Sequence, residues 1–274
     1  MKHFSKTILV FYIVLIFNCK NYPLEQSISA TETKDSVIPP ADIYGSVPMI
    51  SYLRGDFSRE KNLKAYMNPI EKNSHSLRED TIIALQKMIK AYDNDRESES
   101  KQHIFVVSAH RNFSDQKMIW ENKFTGKKKM RESIEGKSKE EIIDLILEFS
   151  SAPSTSRHHW GTDMDLNALQ NQYFETGNGK FLYQWMQKNA NHYGFCQPYN
   201  EHSKRGFKGY KEEKWHWSYS PVANILVKDW EKSFKENKIS FNGKFLGSDL
   251  LGEKPLEYVT NINADCFKIN KAKK

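Results

Sequence analysis

Apolar residues recur at helical spacing at Ile82, Leu85, Ile89 and Tyr92, which predicts a helix over 77–92. Asp93-Asn-Asp-Arg96 then reads as a turn. The run His103-Ile-Phe-Val-Val-Ser108 is short and β-branched and predicts a buried strand. A second helix follows over 114–123, with Ser114 or Asp115 near its start. Ser138 and Glu141 form a capping-box pair ahead of Ile142, Ile143, Leu145, Ile146 and Phe149, so a third helix is expected, ending before Pro153. Gly161 breaks any helix around it, and Asp163-Met-Asp-Leu166 alternates as on a strand. Another helix runs over 180–192, closed by Gly194. Arg205 to Tyr210 reads as a hairpin or loop, and Pro221 opens a last amphipathic helix reaching about Glu236. Arg54-Gly-Asp56 is assigned to a turn. Mixed short elements without βαβ regularity point to an α+β fold.

The two ends of the chain read differently. Lys2 and Lys6 precede an apolar run from Ile8 to Phe17, followed by Asn18-Cys19. A positive start and a short apolar middle are the pattern of an export signal, and the run is too short for a span of ~20 residues. Cys19 is placed as a lipoprotein acceptor would be; an ordinary cleaved signal is the alternative. Residues 1–19 are therefore read as a signal, 20–45 as a solvated tether rich in Ser, Thr, Lys and Glu, and 46–274 as one domain. Cys196 and Cys266 either pair, tying the C-terminal tail to the domain, or stay as isolated thiols. The formal charge of +7 is compatible with anionic wall polymers or lipid surfaces. An exported chain argues against nucleic acid. Gly126-Lys-Lys-Lys-Met-Arg131 is a basic loop, read as solvated surface that can also touch acidic polymer.

The chemistry concentrates in Ser156-Arg-His-His-Trp-Gly-Thr-Asp-Met-Asp165 and in Glu213-Lys-Trp-His-Trp217. His158 and Asp165, seven apart around a glycine, can reach one metal from a loop and a strand, and His216 completes the set. Two imidazoles and one carboxylate leave Zn²⁺ a net positive charge and an open position for water. Glu213, three residues before His216, suits a general base. Arg111 offers a planar fork for a carboxylate or a developing oxyanion.

These residues resemble the zinc D-alanyl-D-alanine carboxypeptidases and dipeptidases, a family that includes vancomycin-resistance enzymes and shares the fold of hedgehog signalling domains. The resemblance rests on Ser156-x-His158-x-x-Gly161-x-x-x-Asp165, on Glu213-x-Trp215-His216, and on Ser108-Ala-His-Arg111-Asn-Phe-Ser-Asp-Gln116, and covers roughly 77–223. It implies a small, mostly antiparallel sheet flanked by helices. It also implies His158, Asp165 and His216 as zinc ligands, Glu213 as the base, Arg111 on the substrate's carbonyl or carboxylate, and Ser156 and Gln116 as substrate contacts. The family often has Ala at the position of Asp163 and Tyr at that of His110. Asp163 would face the same side as Asp165, as a competing ligand or as a group orienting one. His159 faces elsewhere, and Trp215 packs beneath the site.

The expectation is an exported envelope protein hydrolysing peptidoglycan stem peptides at a terminal D-Ala–D-Ala bond. Two other readings stay open. One is an endopeptidase or L,D-peptidase on the same polymer. The other is a zinc-stabilised module that binds wall peptides without turnover, against which Glu213 argues.

Overall fold

Two strands lie at the centre of the molecule because their inward faces carry the polar residues of the site and their other faces the core. The computed structural model describes residues 42–96 and 102–269; the expected export signal, Cys19 and most of the expected tether lie outside the described residues. The chain order is α1 (Met49–Leu53), α2 (Arg59–Asn62), β1 (Lys64–Met67), β2 (Ser74–Leu77), α3 (Glu79–Asp95), β3 (Val106–Ser108), α4 (Phe113–Phe124) and α5 (Lys139–Leu147). Then come β4 (Asp163–Leu166), α6 (Gly177–Asn189), β5 (Phe195–Cys196), β6 (His216–Tyr219), α7 (Ser220–Lys235) and α8 (Lys254–Thr260). The α+β reading holds. A four-stranded antiparallel sheet has the order β3-β4-β6-β5, and β1 and β2 form a separate antiparallel pair.

Register does the positioning. In the β4–β6 pair, Asp165 stands opposite His216 and Asp163 opposite Ser218. With a side-chain period of two, both polar pairs share one face, while Met164, Leu166 and Trp217 turn to the other. Met164 and Leu166 are buried there with Val106, Phe195, Leu226 and Trp230 in the main core. Trp120, Trp160 and Trp230 are fully buried. Each such indole contributes roughly 4–6 kcal/mol of gross transfer free energy before conformational cost. Each also finds an acceptor for its N–H: Leu246, Leu53 and Ser154 carbonyls respectively.

Several expected boundaries move. Leu77, taken as the helix start, ends β2, and α3 begins at Glu79. The turn expected at Asp93–Arg96 is a last helical turn: α3 runs through Asp95. Asp93 pairs with Arg96 and His103, and Asp95 accepts from Trp185, so partners distant in sequence hold acids that local preference would release. The expected strand from His103 is hydrogen-bonded as a ladder only from Val106. Asn167 instead holds the His103 carbonyl and the Phe105 amide. Asn112 caps α4 through a reciprocal capping box with Asp115. The expected Ser138–Glu141 capping box opens α5. Gly194 closes the end of the α6 segment in the left-handed conformation, and Pro221 sits in the first turn of α7. Ile43 and Tyr44, placed in the tether by composition, pack on the core.

The Cys196–Cys266 disulfide is formed and joins β5 to the C-terminal tail. It belongs to a small second cluster with Tyr199, Tyr210 and Ile262. Among the described residues no helix is long and apolar enough to cross a membrane.

Candidate active site

His158 lies on a 3₁₀ turn, Arg157–Trp160, immediately before β4. Gly161 ends that turn at φ 70°, a conformation only glycine adopts cheaply, and an added Cβ would meet the Leu63 side chain at 2.6 Å. The reversal carries the chain from the turn into β4, so the seven-residue spacing returns Asp165 to the side of His158. His216 completes the set from across the sheet. One ligand atom from each of the three lies within 4.8 Å of the others, and all three residues are buried.

Hydrogen bonds fix which nitrogens face inward. His158 donates from Nδ1 to the Ala109 carbonyl at 2.8 Å, leaving Nε2 3.4 Å from Asp165 Oδ1. His216 donates from Nε2 to Asp163 Oδ2 at 3.0 Å, leaving Nδ1 3.2 Å from the same Asp165 oxygen. These tautomers are assigned from the hydrogen-bond network. His158 Nε2 and Asp165 Oδ1 are buried without any hydrogen-bond partner. Lone pairs that face one another in a dry place need a positive charge between them. Two ligands ~2.0–2.1 Å from a tetrahedral ion stand about 3.3–3.4 Å apart, close to the 3.4 and 3.2 Å from the two imidazole nitrogens to Asp165 Oδ1, while all three atoms lie within 4.8 Å of one another. The donor set therefore fits a divalent cation. Burial lowers the His158 pKa, toward the neutral imidazole; burial pulls His216 the same way, but the carboxylates of Asp163, Asp165 and Glu213 around it outweigh burial and raise its pKa, as expected where acids crowd together.

Asp163 is the orienting group, not a competing ligand. Besides His216 it accepts from Arg157 Nε at 2.9 Å, Thr162 Oγ at 2.7 Å and Ser218 Oγ at 2.8 Å. Burial alone would raise its pKa, but Arg157 and these donors hold it well below the usual carboxylate range. Such an outer partner fixes ring orientation and tautomer. His159 faces away, as expected: Nδ1 donates to the Arg111 carbonyl and Nε2 accepts from the Ser154 amide.

Glu213 Oε2 lies 3.4 Å from His216 Nδ1. Its amide donates to the Tyr199 carbonyl, and its own carbonyl accepts from Gln197. Burial raises its pKa above the usual glutamate value, against the pull of His216. Arg111 Nη2 is 4.0 Å from Asp165 Oδ2, with a quarter of its side chain exposed. Asp115, four residues after Arg111, is paired with Arg59 instead.

The cluster forms the floor of a cleft of about 590 Å³, onto which Arg111, His158, Asp165, Glu213, Trp215 and His216 face. Ser156 and Gln116, expected as substrate contacts, do not line it. Ser156 is packed under the 3₁₀ turn, and Gln116 is buried with its amide on the Ser151 carbonyl. His110 is also turned away, its ring 5.3 Å from that of Phe57. Sequence reasoning missed Tyr199, whose ring lies 4.7 Å from that of His216. It also left the 126–131 run on open surface, whereas Lys128, Lys129, Met130 and Arg131 line the cleft. The run was visible as charge; its destination depends on how α4 packs against α5.

A family model described as VanY, D-alanyl-D-alanine carboxypeptidase, matches residues 74–222, more than half of the 274-residue chain. The chain belongs to the VanY family. The match contains every residue of the floor cluster, from Arg111 to His216. VanY membership makes the chain a peptidase of the peptidoglycan-hydrolysing kind. Among solved structures, similarity is found to VanYB in complex with D-alanine-D-alanine, at 19% identity and a TM-score of 0.45, covering 64% of this chain and 89% of that one. A zinc-bound mutant of the vancomycin-resistance D,D-pentapeptidase VanY gives 21% identity and a TM-score of 0.44, covering 64% and 87%. The LdcB LD-carboxypeptidase gives 23% and 0.40, covering 58% and 69%. No curated protein matches the chain significantly.

Proposed function

We propose that this VanY-family protein is a zinc-dependent carboxypeptidase that removes the terminal D-alanine from peptidoglycan stem peptides ending in D-Ala–D-Ala. The observation that carries the reading is the inward convergence of His158 Nε2, His216 Nδ1 and Asp165 Oδ1 beside a buried Glu213. A zinc ion held by His158, Asp165 and His216 would supply the Lewis acid that polarises the scissile carbonyl and acidifies water.

The chain's own residues supply the rest. Glu213 takes a proton from the attacking water and delivers it to the departing D-alanine nitrogen, as the carbonyl C–O bond forms and the C–N bond breaks. Its raised pKa suits both roles, since it releases the proton more readily to an amine than to bulk water. Arg111, fixed through the Arg111 amide to the His158 carbonyl, holds the substrate's carboxylate or the oxygen gaining charge. Asp163 keeps the His216 donor aimed inward. The export segment and a lipid on Cys19 would hold the domain at the envelope, where its substrate is.

The test is D-alanine release from a synthetic stem pentapeptide by wild type and Glu213→Gln, both loaded with zinc. The variant is expected to lose about 10²–10⁴-fold in kcat while keeping its metal. Equal turnover by the two proteins, with metal bound in both, rejects Glu213 as the base. Release of D-alanine from a tetrapeptide in preference to the pentapeptide would instead assign an L,D-carboxypeptidase.

A further inference from the structure

The cleft is unevenly charged. The wall made by the end of α4 and the loop after it presents Lys123, Lys128, Lys129 and Arg131. The acids on the same space are Glu148, Asp165 and Glu213. Asp165 and Glu213 belong to the floor cluster, and Glu148 is ion-paired with Lys211. Among the described residues no carboxylate pairs with any of the four wall cations. Lys123 donates to the Ser150 hydroxyl. Lys123, Lys128, Lys129 and Arg131 line the same cleft as Arg111. The Arg131 guanidinium lies 4.0 Å over the Phe149 ring, a contact that helps hold it at the cleft. Lys128, Lys129 and Arg131 are exposed at the cleft, so salt screens them, but at low salt like charges gathered on one side of a cleft favour an anionic ligand.

A carboxypeptidase substrate already brings one carboxylate, its C-terminus, and Arg111 at the floor is the cation nearest the metal-binding residues that can meet it. That leaves Lys128 and Arg131 without a carboxylate partner on one side of the cleft through which the rest of the peptide extends. We propose that this wall selects stem peptides carrying an additional free carboxylate upstream of the scissile bond over peptides in which that group is a carboxamide, with Lys128 and Arg131 as the specificity-determining residues. The inference rests on the peptidase reading above. Arg131 presents a planar fork suited to a carboxylate, and Lys128 a point charge; neither gains from a neutral amide of the same shape.

The experiment uses two pentapeptides that differ only in one upstream carboxylate or carboxamide. Zinc-loaded wild type is expected to prefer the acid by about five- to tenfold in kcat/KM at low salt, chiefly through KM. The preference should shrink below about twofold at ~0.5 M salt, where the screening length is only a few ångströms. The Lys128→Gln, Arg131→Gln double variant should bring the ratio near one, and Arg131→Lys, which keeps the charge but loses the planar fork over Phe149, should keep only part of it. Equal rates on both peptides, or a ratio that survives the double variant, overturns the proposal. If neither peptide is hydrolysed, the peptidase reading fails, and calorimetric binding of the two peptides to the same protein still decides the selectivity: equal affinities overturn it.

Discussion

Replacing Asp163 by asparagine separates what orients the donors from what holds the fold. The carboxylate accepts four hydrogen bonds, from Arg157 and His216 on Oδ2 and from Thr162 and Ser218 on Oδ1. It is fully buried, and Arg157 is 1% exposed. Asparagine has the same shape, and its amide group can turn toward the two hydroxyls, which can accept. Its oxygen then keeps Arg157 and His216. The loss is the negative charge. Removing one member of a buried ion pair costs about 3–5 kcal/mol. Arg157 retains the Ser218 hydroxyl and lies 5.0 Å from the Trp160 ring, which favours the lower end. At ~2–4 °C per kcal/mol for a domain of this size, about 3 kcal/mol lowers Tm by roughly 6–12 °C. His216 also loses the charge that fixes its tautomer, so zinc affinity should fall about 10–100-fold. Differential scanning calorimetry of the metal-free protein reads the first effect. Competition with a chromophoric chelator, on folded protein near neutral pH, reads the second. A lower Tm with zinc affinity within about twofold of wild type would show that Asp163 serves the fold and leaves His216 unaffected.

Two other outcomes follow. Burial pulls the Lys123 pKa from 10.5 down to about 8. Between those values the unfolded chain binds the extra proton, so the wild type gains stability as pH rises through the window. Lys123→Met should therefore be more stable than wild type below pH 8, an advantage lost toward pH 10.5; paired denaturant titrations showing a pH-independent difference would contradict this. The Cys196–Cys266 bond spans 70 residues, for which chain entropy gives about 4 kcal/mol. Reduction with a phosphine, which spares zinc, should lower Tm by roughly 8–16 °C, and an unchanged Tm would mean the tail docks without it.

What could be read from the sequence was what local chemistry dictates. The Ser138–Glu141 capping box, Pro221 at the head of α7 and Gly194 closing the α6 segment each satisfy backbone groups within a few residues, and each was legible. The β1–β2 pair was not. In Lys64–Met67 only Tyr66 is buried, and in Ser74–Leu77 only Leu77, so no alternation marks either strand. Asp93 and Asp95 read as a turn because their stabilising partners, His103 and Trp185, come from elsewhere in the chain.

The same division runs through the site. His158, Asp165 and His216 were legible because a metal site draws on a few residue types, and antiparallel register brings Asp165 opposite His216, with Glu213 three residues before it. A one-residue slip of β6 would put Trp217 where His216 stands, so catalytic geometry and core packing are specified by one register. Period-two alternation placed Asp163 on the ligand face but could not choose between ligand and orienting group. That choice is made by Arg157 and by Ser218, the residue opposite it in β6. The basic wall has no such restriction, since a lysine run obeys no spacing rule and looks the same whether solvated or lining a cleft. Only the folding of the 126–131 loop over the end of α5 gives it a direction. Chemistry that demands fixed atoms leaves a pattern in sequence, whereas selectivity built from unpaired charge on a loop becomes visible only when the fold shows what the charge faces.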